Sequence, residues 1–379
     1  MAATDGYKIF TPLTLSEGLT LKNRVVFAPM TRARSDPISH VPSDMNATYY
    51  EQRAGAGLII TEATSVSEQG HGWYGAPALY NEAQLAGWKK VVDRVHIKEG
   101  KIFLQMWHIG RQGHSSHNSK NDLVSASDVR LESGHAKNSK GEYVPFETPR
   151  ALRLDEIPGI AEDFRLGAAL AKRAGFDGVE LHSANGYLFD QFFQSATNKR
   201  TDMYGGSFEN RARFLFTVLD EVKKVMPIDR IAVRLAPNGD FAGMGCEDNA
   251  EFFTYLMEKL SSVGLAYLAI LDGEGFGYQK KSRLLTAFDA KKAFKGTVLA
   301  NNSYVTRDLA EGVIRSGAAD FVSFGRIYIS NPDLAERFKN DWPLAPQSPY
   351  AHYWDPALGP VGYIDYPAYT PPMSIDIAK

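Results

Sequence analysis

Eight times along the chain, a short β-branched or apolar run is followed by a longer segment whose apolar residues recur at helical spacing. Parallel strands in one sheet need a long crossover between them, usually a helix, so this alternation reads as βα units on a parallel sheet. Strands are expected at Val25–Met30, Gly57–Ala63, Lys101–His108, Gly178–Ser183, Arg230–Ala236, Ala266–Asp272, Thr297–Asn301 and Asp320–Gly325. Helices are expected near residues 43–54, 83–98, 155–174, 207–227, 247–263, 283–295, 305–316 and 332–340. Within the fifth, Phe252, Phe253, Leu256 and Leu260 mark one buried face. An open doubly wound sheet usually stops at about five or six strands. Eight strands with eight helices is the count of a closed (β/α)8 TIM barrel, here read as one domain over residues 1–379.

Two segments fall outside that count. Residues 9–25 read as a hairpin before the first strand, placed to plug the N-terminal end of the barrel. Residues 111–153 are a polar excursion after the third strand, and they leave from the strand end on which barrel active sites are built. No G-x-G-x-x-G opens a helix after a strand; GEGFG at 273–277 has the wrong spacing, so a separate dinucleotide domain is not expected.

Composition narrows the function. The 42 Lys+Arg against 44 Asp+Glu leave a net charge of −2, without the basic excess of a nucleic-acid binder. The longest apolar run, Leu265 to Leu271, is too short for a membrane span, and no signal-peptide core follows Met1. A cytoplasmic protein with no membrane partner is expected. The single cysteine, Cys246, excludes an intramolecular disulfide and a Cys-ligated iron–sulfur cluster.

Several strand ends carry residues that a packed core would not choose. The third ends Gln105-Met106-Trp107-His108, and the fourth runs on through His182-Ser183-Ala184-Asn185-Gly186-Tyr187. Arg234 alternates with Val233 and Leu235, which turns it toward the barrel mouth. A buried guanidinium needs an anionic partner: either Glu62 or Glu180 in an internal ion pair, or a bound ligand. His182 and Asn185 read either as a structural histidine with a turn asparagine or as two donors gripping a carbonyl oxygen. Tyr187 is then a nearby acid for the neighbouring carbon. Asn301-Asn302-Ser303 and Gly325-Arg326, at the last two strand ends, stand where barrels hold a phosphate. The histidines at 108, 114 and 117 lack a clustered carboxylate, and no metal is expected.

Taken together, these segments resemble the classical branch of the old yellow enzyme family of flavin-dependent ene-reductases. The likeness rests on NRVVFAPMTR (23–32), LQMWHIGR (104–111), VELHSANGYLFDQFF (179–193), YGGSFENRARF (204–214), FVSFGR (321–326) and GYIDYP (362–367). It implies a non-covalent FMN across the barrel mouth. Pro29, Met30, Thr31, Ala63, Gln105 and Arg234 would line its ring, and Asn302, Ser303, Gly325 and Arg326 would hold its phosphate. Thr31 stands where a sister branch has Cys. Arg234 would stabilise the anionic edge of the reduced ring. The chain departs from the family's Gly-rich turn at Asn301–Tyr304.

The resemblance further implies a ping-pong NADPH or NADH dehydrogenase acting on enones. His182 and Asn185 would hold the carbonyl, Tyr187 would protonate Cα, and Thr31 would tune the flavin. Trp73, Trp107, Phe241 and either Tyr353 or Trp354 would shape the substrate pocket. A monomer or homodimer fits this reading. The alternative is a flavin-free barrel, a lyase, isomerase or binding protein for a phosphorylated ligand.

Overall fold

The structure, a computed structural model, describes residues 4–273, 277–301 and 303–372. Eight parallel strands close on themselves: β1 (Val25–Phe27), β2 (Leu58–Ile60), β3 (Ile102–Trp107), β4 (Gly178–Ser183), β5 (Ile231–Leu235), β6 (Tyr267–Leu271), β7 (Val298–Asn301) and β8 (Phe321–Phe324). Each pairs with the next, and β8 returns to β1, with Val322 opposite Val25. The (β/α)8 barrel expected from the alternation is the observed fold.

Ten helices accompany the strands: α1 (Asp44–Glu51), α2 (Glu82–Ile97), α3 (Ile157–Ala174), α4 (Leu188–Phe193), α5 (Phe208–Val222), α6 (Asn249–Leu260), α7 (Ala287–Phe294), α8 (Arg307–Ser316), α9 (Arg326–Ser330) and α10 (Leu334–Asn340). Their ends follow local chemistry. Ser43 and Asn46 form a capping box on α1, as do Thr286 and Asp289 on α7. Eight helices fall where the sequence predicts them. The two unpredicted ones, α4 and α9, have six and five residues, too few to show a 3.6-residue period.

Strand alternation sorts the core into two shells. Val233 and Leu235 of β5 face outward into the large cluster under the helices. Ala232 faces inward with Val26, Leu58, Phe103, Tyr267, Leu299 and Phe321. The strands Leu13–Ser16 and Leu19–Leu21 form the expected hairpin, and Leu19 and Leu21 join this interior cluster. Most strands stop a residue or more short of the expected ends, because Met30, Ala63 and His108 leave the ladder where the chain turns into the mouth.

The excursion is built rather than structureless. Val124–Ser125 pairs in parallel with Arg150–Ala151, and Ala136–Lys137 forms a hairpin with Tyr143–Val144. Arg150 clamps its base through Asp122 at 2.6 Å and Glu156 at 2.7 Å. Among the described residues, no helix is long and apolar enough to cross a membrane.

Candidate active site

Strand register assembles the mouth. His182 on β4 lies opposite Arg234 on β5, and Glu180 lies opposite Gln105 on β3. Gln105 Nε2 donates to Glu180 Oε1 at 2.8 Å, and the Tyr267 hydroxyl donates to Oε2 at 2.9 Å. With both oxygens of Glu180 engaged, Arg234 turns elsewhere: its Nη2 donates to Asn301 Oδ1 at 2.6 Å, while its buried Nη1 has no partner among the described residues. The internal ion pair weighed from the sequence is therefore not formed with Glu180. Nor is it formed with Glu62, which accepts from the Arg32 and Ala33 N–H groups and from the Tyr50 hydroxyl. Sequence reasoning grouped Asn301 with the phosphate-site residues and did not foresee it as a partner of Arg234.

The turn after β4 is conformationally unusual. Asn185 has φ of +59° and Gly186 of +75°, two consecutive left-handed residues. A Cβ on Gly186 would lie 2.8 Å from that of Ala242, so glycine is required there on space as well as on φ. The turn sets Tyr187 at the start of α4, with its ring edge-on to Trp107 at 5.3 Å and to His182 at 5.0 Å. Burial pushes the Tyr187 hydroxyl up to about 12, so it keeps its proton at neutral pH. Burial, and then the Arg234 charge, push His182 well below its ordinary value, so its imidazole is neutral. Its Nδ1 is buried without a partner among the described residues, as are the indole nitrogens of Trp73 and Trp107.

The apolar side of the mouth is Ala63, Ala76, Trp107 and Ile109, with Trp73 and Tyr187 packed on them. A small cavity opens at the Asn185 turn, lined by Asn185, Asp190, Phe241, Met244 and Leu271. Across the mouth, Pro29, Met30 and Thr31 are half-buried beyond β1. A Cβ on Gly325 would lie 3.1 Å from Met30 Sδ, so the ends of β1 and β8 touch. Gly325 precedes α9, which begins at Arg326. Ser303 hydrogen-bonds to Asp272, whose carboxyl is pushed up to about 6, chiefly by burial. Asn302 lies outside the described residues.

Tyr353 is buried and Trp354 half-buried, packed edge-on at 5.6 Å. Their segment is gripped by two arginines that sequence reasoning passed over. Arg32, next to Thr31, donates to the carbonyls of His352, Tyr353 and Gly362, and Arg34 donates to those of His352 and Gly359. Their partners are backbone atoms some three hundred residues away, which leave no mark on side-chain spacing. Two of the three histidines weighed for a metal have structural partners: His108 Nδ1, at the end of the third strand, accepts from the Gly110 N–H at 3.1 Å, and His117 Nε2, in the excursion, donates to the Lys137 carbonyl at 2.7 Å.

Chemically, the mouth offers a cationic N–H with no partner among the described residues, a neutral imidazole, an amide, and a protonated phenol packed on an apolar wall. Residues 8–345 match the profile of the NADH:flavin oxidoreductase / NADH oxidase family. The chain is 39% identical over 370 residues to a putative 12-oxophytodienoate reductase 5 of Oryza sativa subsp. japonica, covering 95% of this chain and 94% of that one. The old yellow enzyme homologue from Zymomonas mobilis superposes with a TM-score of 0.90 at 38% identity, over 96% of this chain and 100% of that one. Morphinone reductase in complex with tetrahydroNAD superposes with a TM-score of 0.87 at 41% identity, over 96% and 98%.

Proposed function

Because this chain belongs to the old yellow enzyme family of NADH:flavin oxidoreductases, we propose that it is an ene-reductase for α,β-unsaturated carbonyl compounds. NAD(P)H and the enone would use one pocket in turn. The mouth fits the family's FMN on its own chemistry. Arg234 carries a buried N–H with no partner among the described residues, and Gly325 leaves open the space beside Met30 that a side chain would crowd. Pro29, Met30, Thr31, Ala63, Gln105 and Arg234 would hold the ring, and Ser303, Gly325 and Arg326 the phosphate end. When bound, FMN accepts hydride from the nicotinamide and supplies it to the β-carbon of the enone.

The protein's own residues would do the rest. His182 and Asn185 would donate to the carbonyl oxygen as negative charge develops there, each donor being worth about 3–4 kcal/mol of barrier. A neutral His182 suits this task, because it offers an N–H without bringing a second full charge beside Arg234. Tyr187 would pass its proton to Cα, so that hydride at Cβ and proton at Cα together saturate the bond. Trp107 holds the Tyr187 ring from the side. Trp73 and Phe241 would wall the pocket, and Tyr353 or Trp354 would cover it. A flavin-free barrel for a phosphorylated ligand does not fit a flavin oxidoreductase family.

The observation that carries this reading is the convergence of His182, Tyr187 and Trp107 in edge-on contact beside the unpaired Arg234 N–H. An anaerobic absorption spectrum tests it. The flavin band should bleach with NADPH and return with 2-cyclohexenone. Colourless protein that FMN cannot reconstitute, or reduced protein that no enone reoxidises, would defeat the proposal.

A further inference from the structure

The left-handed turn at Asn185 and Gly186 is held from outside its own backbone. The Gly186 N–H donates to Asp190 Oδ2 at 2.8 Å, and the Gly186 carbonyl accepts from Gln191 Nε2 at 2.7 Å. One residue is thus gripped on both faces by two consecutive side chains of α4. Each gripping side chain is anchored in turn. Gln194 Nε2 donates to Asp190 Oδ1 at 2.7 Å. Gln191 Oε1 accepts from the Arg111 N–H at 3.1 Å and from the Ser125 hydroxyl at 2.8 Å. Both are essentially without exposed surface, Asp190 at 1% and Gln191 at 0%. A non-glycine residue at positive φ persists only where its surroundings over-determine it, and Asn185 meets that condition through these bonds and the 2.8 Å bond from Gln112 Nε2 to its carbonyl.

Resting on the ene-reductase reading above, we propose that Asp190 and Gln191 are positioning residues for enone reduction, locking the Asn185–Gly186 backbone so that the Asn185 amide and the Tyr187 hydroxyl meet one substrate together. Their proposed task is to hold the turn, not to react with the substrate. Gln191 also ties this turn to the excursion that follows β3, at Arg111 and Ser125, so two loops of the mouth share one reference point. The grip has a charge state. Both Asp190 oxygens accept from N–H donors, which suits the carboxylate form. Burial pushes this carboxyl up to about 7, against the pull of Gln194, Gly186 and the Arg111 charge. Arg111 is the charged group facing Asp190; its other cavity neighbours, Asn185, Phe241, Met244 and Leu271, do not ionise. Protonation on the acid side of neutrality would weaken the hold on Gly186, so enone reduction should fall there while the fold persists.

The experiment uses the FMN holoenzyme and the variants Asp190→Asn and Gln191→Met. Anaerobic stopped-flow reoxidation by 2-cyclohexenone is followed from about pH 5.5 to 9, alongside amide exchange in residues 184–188. The parent should lose about tenfold in reoxidation rate across an acid limb centred near neutrality. Asp190→Asn should sit at a low plateau with that limb gone. Gln191→Met should slow reoxidation by about tenfold or more while reduction by NADPH, which asks nothing of Tyr187, changes by less than about threefold. Both variants should keep FMN and exchange the 184–188 amides faster. An unchanged acid limb in Asp190→Asn, equal slowing of both half-reactions, or unaltered exchange would overturn the proposal. If Gln191→Met does not fold, Asp190→Asn and the pH dependence of exchange in the parent decide. If the parent is reoxidised by no enone, the ene-reductase reading falls, and the exchange measurements alone judge the positioning role.

Discussion

At its N-terminal end the barrel interior is filled by Val26, Phe103, Tyr267, Leu299 and Phe321 and sealed by Leu19 and Leu21, all with no exposed surface. Two residues farther along the same strands stand Gln105, Asn301 and Ser323, joined by His182 and Arg234 from β4 and β5. The first layer contributes stability, about 1.5–3 kcal/mol for each large apolar side chain removed from water. The second includes buried polar atoms, Arg234 Nη1 and His182 Nδ1, that no group among the described residues satisfies. Such atoms cost about 1–3 kcal/mol apiece unless something arrives to pair with them. Ligand binding is written into that deficit, and the apolar floor below offsets it.

The comparison can be broken most sharply at Tyr187. Tyr187→Phe keeps the ring against Trp107 and removes only the proton. Reoxidation by cyclohexenone should drop roughly 10²–10⁴-fold while FMN binding and reduction by NADPH stay near the parent values. Equal slowing of both half-reactions in stopped-flow would mean that Tyr187 shapes the pocket instead. At the other end, Phe103→Ala should cost about 3–5 kcal/mol of stability in denaturant titration, with turnover per folded molecule little altered. A large loss of turnover there would show that floor and mouth are not separable. Asn185→Gly keeps the left-handed turn and deletes one proposed donor, so kcat for enone should fall about 10²–10³-fold. Loss of the folded protein would assign Asn185 to structure alone.

A last prediction concerns pH. Burial holds His108 down to about 3 and His40 down to about 4, and His71 lies well below its ordinary value. The unfolded chain takes up these protons near pH 6.5, so it binds more protons than the folded form below that point. Stability from these three groups is complete above about pH 7 and is lost as the pH falls toward the folded values, by about 1–2 kcal/mol for each group between pH 7 and 5. All three lie on the mouth side. Fluorescence of Trp73 and Trp107 should therefore respond to acid before global unfolding, and coincident transitions would erase the distinction between the two ends.

Most of the architecture was legible because periodicity is a local property. Eight apolar runs and eight amphipathic segments reappear as β1–β8 and eight of the helices, and the alternation around Arg234 sent it inward as expected. The site was legible where reactive residues stand at strand ends: Gln105, His182, Tyr187 and Arg234 converge in one mouth. What escaped was decided by partners distant in sequence. Asn301 is bound to Arg234 across 67 positions, and Arg32 holds the Tyr353 carbonyl across 321. Helix α4 escaped because six residues carry no period.

By itself the sequence determined the barrel, its hairpin and the chemical types gathered at the mouth, because spacing and alternation dictate which face each residue takes. Only the tertiary structure decided which of those groups remain uncommitted. Glu180 could have paired with Arg234; closure of the sheet instead brought Gln105 and the Tyr267 hydroxyl onto its two oxygens. Whether a buried polar atom is satisfied depends on every strand and loop that reaches it, and in a closed barrel those neighbours come from the whole length of the chain.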